Sequence, residues 1–302
     1  MPLTPEQKAE IDAARATPRE TLRATAPGME AQLHVAHPVL DHGFVRVVDY
    51  MGDDSAIVQA ARVSYGAGTR HVSNDAGLIR YLMRHWHSTP FEMCEVKLHV
   101  KLPLFVARQW IRHRTANVNE YSARYSILDR EFYIPAPENL AAQSTTNAQG
   151  RGAVLDGAEA ARALEILKTD AARAYESYEA LLGGEQGLAR ELARMTLPAN
   201  IYTQWYWKTD LHNLFHFLRL RADAHAQFEI RAYAETIGAL VRDWVPEAWR
   251  AFEDYRLGGA HLSAQALDCL RRMLDGEEVT QETSGMNARE WREFSELFAP
   301  AR

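Results

Sequence analysis

Between Cys94 and Leu102 apolar and polar residues alternate without a break. Cys94, Val96, Leu98 and Val100 fall on one side, and Glu95, Lys97, His99 and Lys101 on the other. A period of two marks a half-buried strand. FVRVVDYM (Phe44 to Met51) and NIYTQWYWK (Asn200 to Lys208) are rich in β-branched and aromatic residues and predict two more strands. EFYIP, from Glu131 to Pro135, predicts a short extended piece.

Elsewhere the period lengthens to that of a helix. Thr4 followed by Pro5 predicts a leading helix in an alanine-rich segment that ends near Pro38. Ser55 is the expected cap of a helix to about Val63, and Asn74 or Asp75 of one to about Trp86. Pro103 opens LFVARQWIRH, and Ala158 to Leu182 is strongly amphipathic and closed by Gly183-Gly184. A further helix is expected from about Gln186 to Met195. Asp210 is placed to cap DLHNLFHFLRLRAD, which HAQFEIRAYAETIGALVRDW follows as a longer helix. After Gly258-Gly259 two more are expected, around Ser263 to Leu274 and Asn287 to Phe298. From Pro135 to about Gly157 the composition turns to Ala, Gln, Asn, Ser, Thr and Gly, which reads as an exposed loop. Strands and helices mix without a regular βαβ alternation, so the fold class is α+β.

Composition narrows the function. The 302 residues are 47% hydrophobic and 25% charged, ordinary for a globular chain able to bury one sizeable core. No apolar run approaches a membrane span, and the first residues lack the pattern of a secretory signal, so a cytoplasmic location is expected. Two cysteines, Cys94 and Cys269, allow neither a disulfide framework nor a cysteine-rich zinc site, and neither has neighbours that would activate a thiol. No GxGxxG follows a strand and no P-loop occurs. In His85-Trp86-His87 the histidines are two apart and no carboxylate motif supports them, so no metal is expected.

Against a net charge of −6, the segment RHRTANVNEYSARYS gathers Arg112, His113, Arg114, Asn117, Asn119, Ser122 and Arg124. Guanidinium forks suit phosphates and the carbonyl edge of a pyrimidine, while hydroxyls, amides and backbone N–H groups complete an anion cradle. Composition alone balances a ligand site against a solvated surface. A second run, LRLRADAHAQFE, places Arg221 and His225 four apart, as His212 and His216 are, and two such runs favour a shared pocket. A nucleic-acid or nucleotide-binding protein without catalysis remains the rival, although acidic chains seldom bind nucleic acid in general.

The order HSTPFE, FVARQWIRHR, NEYSARYS, FYIP, LRADAHAQ resembles the flavin-dependent thymidylate synthases, and RHR, seven residues and then Ser122 fits their signature. The resemblance spans about Asp41 to Tyr255. It implies an α+β catalytic domain at 39–258, with extensions at 1–38 and 259–302. It further implies conversion of dUMP to dTMP with 5,10-methylenetetrahydrofolate as carbon donor and FAD, reduced by NADPH, as hydride carrier. The family assembles as homotetramers with active sites between subunits. Carried over residue by residue, it puts Gln109, Trp110, Ile111, Arg112, Glu120, Tyr121, Ser122, Ala123, Arg124 and Arg194 around dUMP. It puts His87, Thr89, Arg112, His113, Arg114, Glu120, Asp210, Leu211, His212 and His216 around the flavin, and makes Arg221 the residue that activates the pyrimidine. Asn117 stands where relatives often have serine, a polar exchange from which little change is expected.

Overall fold

The computed structural model describes residues 3–63, 75–145, 150–185 and 187–298. It divides into two compact units, Met1–Ala251 and Phe252–Arg302.

In the first unit the elements run α1 (Pro5–Arg15), α2 (Pro27–Gln32), β1 (Ala36–Val39), β2 (Gly43–Met51), α3 (Asp54–Val63), α4 (Asp75–Arg84), α5 (Thr89–Glu92), β3 (Glu95–Pro103), α6 (Leu104–Trp110) and β4 (Asn117–Glu120). After them come β5 (Ala141–Gln143), β6 (Arg151–Val154), α7 (Gly157–Leu182), α8 (Arg190–Ala193), β7 (Tyr202–Asp210), α9 (Leu211–Arg221), α10 (Phe228–Trp244) and α11 (Pro246–Phe252). Among the described residues, five strands form one antiparallel sheet in the order β1-β2-β3-β7-β4, and β5 pairs with β6 as a separate hairpin. The α+β expectation holds.

The alternation in β3 explains the layering. Val96, Leu98 and Val100 are buried on one face, while Glu95, Lys97 and His99 lie half-buried on the other. Lys101 breaks the pattern. It is 2% exposed and tolerable there because its ammonium pairs with Glu131. The helical layer centres on α10, which packs on α9, α6, α2, β1 and β2. Its Tyr233 hydroxyl donates to Lys101 O at 2.7 Å. That contact requires a glycine at 43, where a Cβ would sit 2.0 Å from the Tyr233 oxygen.

Several expectations need correction. The helix at 54–63 is capped by Asp53, whose carboxylate accepts from Ala56 N and from the Ser55 hydroxyl, so Ser55 lies inside the cap. The next helix ends at Arg84, with Trp86 beyond it in a left-handed conformation (φ 61°), and Asn74 lies outside the described residues. The 135–157 segment contains the β5–β6 hairpin rather than loop alone. Of the helix expected at 186–195, only α8 and a 3₁₀ turn at Arg194–Thr196 form, and Gln186 lies outside the described residues. α2, β1 and β4 were not foreseen. α2 buries Met29 fully, so part of the leading segment belongs to this unit's core.

The second unit holds a π-type turn (Glu253–Leu257), α12 (Ala264–Leu274), α13 (Gln281–Ser284) and α14 (Ala288–Leu297). Ala266, Cys269, Val279, Met286 and Phe294 make its small core. Helices form at both places where the sequence predicts them, with Ser263 capping α12 and Asn287 capping α14.

Candidate active site

α6 stops where its last residue is locked in place. Trp110 is fully buried, stacks on Phe217 of α9 at 4.6 Å between ring centroids, and meets Trp205 and Trp207 of β7 edge-on at 5.6 and 5.3 Å. Each such aromatic pair contributes about 0.5–1.5 kcal/mol beyond its buried area. The chain then turns at Ile111 and presents Arg112, His113 and Arg114 in succession. His113 packs edge-on against Phe217 at 5.1 Å, and Arg221, the last residue of α9, donates from Nε to His113 Nε2 at 3.0 Å. His216, five residues earlier on α9, brings its ring centroid to 5.6 Å from that of His113.

These side chains line a cleft of about 480 Å³. Asn213, Leu220 and Thr115 also line it, and none of them was foreseen. The signal was present: Asn213, His216 and Leu220 follow helical spacing, one face of α9. Asp210 sets that face by capping α9, accepting from Asn213 N at 2.9 Å and from its side-chain amide at 2.7 Å. Thr115 is held from β7, its carbonyl accepting from the Thr209 hydroxyl at 3.1 Å.

The electrostatics follow from crowding of positive groups. Burial, then the charge of Arg221 and then that of His216, push His113 down to about 4. It is neutral at physiological pH, and its role as acceptor at Nε2 leaves its proton on Nδ1. Burial also lowers Arg221, which nevertheless keeps its charge. The cleft is therefore cationic yet holds a neutral imidazole, a site class suited to a nucleotide-sized anion.

The remaining predicted residues fall into other groups. Arg124 pairs with Glu191 at 3.1 Å, Arg194 Nε donates to Glu191 O at 3.2 Å, and the Ser122 hydroxyl accepts from Arg124 N at 3.3 Å. None of these three lines the cleft. Glu120, on β4, accepts from the Thr203 hydroxyl at 2.8 Å, and Tyr121 N donates to Gln204 O at 2.8 Å. Ala123 packs on the cluster around Tyr175 and Tyr178. His87 stacks on Tyr81 at 5.9 Å, just before Thr89 at the start of α5. Trp110 and Leu211 point into the core, and Gln109 Oε1 is buried without a hydrogen-bond partner among the described residues. His212 is half-buried on α9. His225 does not share a helical face with Arg221, because α9 ends at Arg221 and His225 sits in the following turn, bonded to Asp223 at 3.0 Å. Cys94 is fully buried, and burial with the nearby Asp53 and Asp54 pushes its thiol up to about 12.

Residues 46–247 match the family model described as Thymidylate synthase complementing protein. The chain is 77% identical to the flavin-dependent thymidylate synthase of Ruegeria pomeroyi over 98% of its own length and 99% of the relative's. It is 64% identical to that of Gluconobacter oxydans, covering 98% of each. Among solved structures it is similar to the UMP/dUMP methylase PolB from Streptomyces cacaoi bound with 5-Br dUMP. That likeness has a TM-score of 0.65 and 32% identity, over 73% of this chain and 98% of that one. The chain belongs to the flavin-dependent thymidylate synthase family. Its residues fit a flavin: Arg112, Arg114 and Asn213 supply N–H donors for anionic and carbonyl groups, and among the described residues no carboxylate lines the cleft to oppose them.

Proposed function

We propose that this chain methylates dUMP to dTMP in the cytoplasm, with 5,10-methylenetetrahydrofolate as carbon donor and FAD, reduced by NADPH, as cofactor. The observation that carries the reading is the Arg221–His113 pair inside the arginine-rich cleft, set in a chain that matches its relatives over nearly their whole length. Arg221 acts on the N3 and carbonyl edge of the uracil, stabilising negative charge that develops there as C5 becomes nucleophilic. Its Nε is committed to His113, which fixes the plane of the guanidinium and leaves the outer N–H groups for the ring. Bound flavin supplies the hydride. Gln109, Trp110, Ile111, Glu120, Tyr121 and Ala123 border the substrate through side chain or backbone, and Ser122, Arg124 and Arg194 take its phosphate, for which Arg124 must exchange Glu191. Arg112, Arg114 and His113 hold the flavin with His87, Thr89, Glu120, Leu211, His212 and His216, with Asp210 anchoring the start of α9.

Residues 39–258 are assigned the chemistry and 1–38 and 259–302 are extensions. The active unit is a homotetramer with sites between subunits. Arg112, Arg114, Glu120, Arg124, Arg194, His87 and His216 are all exposed in the single chain, which supports completion by a second copy. The test is direct. The purified protein should be yellow, release FAD on denaturation, and oxidise NADPH with formation of dTMP only when dUMP and methylenetetrahydrofolate are both present. A colourless protein that takes up no added FAD would overturn the reading.

A further inference from the structure

Glu229, in the first turn of α10, is a carboxylate only 2% exposed. Three residues from separate parts of the chain donate to it. Tyr133 Oη lies at 2.9 Å, Gln227 Nε2 at 2.8 Å, and Arg151 Nη2 lies against both oxygens at 2.5 and 2.6 Å. Arg151 opens β6, and its Nη1 donates to Asn139 O at 2.9 Å, so the guanidinium ties the base of the β5–β6 hairpin to α10. The Phe228 ring lies near two guanidinium groups, with Cζ of Arg151 at 5.8 Å and of Arg231 at 5.9 Å from its centroid. Arg231 in turn donates to Ala224 O at 2.8 Å.

Only residues 222–227 separate Arg221 from α10, and these contacts hold that turn at Ala224 and at Gln227. Burial opposes the charge on Glu229, yet Arg151, the helix N–H and Gln227 together hold its carboxyl below the usual range. Without Arg151 a buried anion would keep only neutral donors, and its cheapest escape is to swing toward water, dragging Gln227 and the turn with it.

We propose that Arg151 is a positioning residue: through Glu229 the β5–β6 hairpin sets the 222–227 turn and hence the aim of Arg221 in the cleft. The proposal rests on the role given to Arg221 above, and the experiment separates the two. Arg151→Met, Arg151→Lys and the double variant Arg151→Met/Glu229→Gln are prepared with flavin bound. Single-turnover dTMP formation is measured at saturating dUMP and methylenetetrahydrofolate, and the His113 imidazole is titrated by NMR in ¹³C-histidine-labelled protein.

A misaimed catalytic group of this kind loses about 10²-fold in rate. Arg151→Met is expected to lose that much in rate at unchanged flavin content, and His113 should titrate above its parent value as Arg221 leaves it. Arg151→Lys should recover part of the rate. The double variant removes the stranded charge and the tie together, so it serves in place of Arg151→Met if that protein does not fold; it should still lose rate and shift the His113 titration, because the hairpin no longer holds α10. A melting temperature that falls while rate and titration stay at the parent's values would make the pair purely structural and overturn the proposal. A parent chain that forms no dTMP would sink the assigned reaction, while the His113 titration would still decide for or against the clamp.

Discussion

Among the described residues Arg221 bonds to the His113 ring through Nε, and its terminal nitrogens are left for a ligand. Arg221→Ala should therefore keep its flavin, still accept electrons from NADPH, and form dTMP about 10²–10³ times more slowly, the loss typical of one preorganised donor. Arg221→Lys should recover only part, because a point charge does not reproduce a planar fork. Rapid-mixing oxidation of prereduced enzyme reads both; a parent-like rate for the Ala variant would make the arginine structural. A second expectation concerns pH. Burial leads in pushing both His113 and His99 down to about 4 from an ordinary 6.5. An unfolded chain takes up these protons below 6.5 and the folded chain only near 4. Stability is thus full above that window and lost as pH falls through it. His99→Gln, outside the cleft, should flatten the decline of the melting midpoint; an unchanged slope would refute this. The clustering of Arg112, His113, Arg114 and Arg221 was legible because a basic run in an acidic chain is conspicuous. The Arg124–Glu191 pairing was not, since 67 positions of sequence hide a contact that only tertiary packing creates.

α9 illustrates how an element aims a site. Asp210 ends β7 and caps the helix, so a single carboxylate fixes where Asn213, His216 and Arg221 begin their turns. Asp210→Ala should cost about 1 kcal/mol of stability. It should also weaken flavin retention, measured as cofactor content after gel filtration; full retention would separate the cap from the site. This helix was readable in advance because cap, period and terminus agree. β4 was not. All four of its residues are exposed, so no alternation betrays it, and only pairing with β7 makes it a strand. The β5–β6 hairpin escaped for a related reason: β6 is exposed throughout and β5 only half-buried, and small polar residues mimic a loop.

A homotetramer should appear by light scattering in the presence of FAD, and a monomer would contradict the shared site. Mixing a chain inactivated by Arg221→Ala with one inactivated by Arg124→Ala should then restore some turnover, because a site that takes these two arginines from different subunits is sound in part of the mixed tetramers; no recovery would show that both arginines of a site come from one chain. Deleting residues 260–302 should leave turnover and flavin content near the parent's, since the family match ends at 247 and every assigned residue precedes it. A folded, flavin-bound truncation without turnover would move part of the site into that tail. The indole cluster beneath His113 has an optical consequence. Trp110, Trp205 and Trp207 are at most 2% exposed and share one aromatic contact network with Phe217. Their emission should be blue-shifted, and it overlaps the absorption of an isoalloxazine ring. Filling the cleft should quench that glow and emptying it should restore it, so the protein carries its own fluorescent gauge of cofactor occupancy.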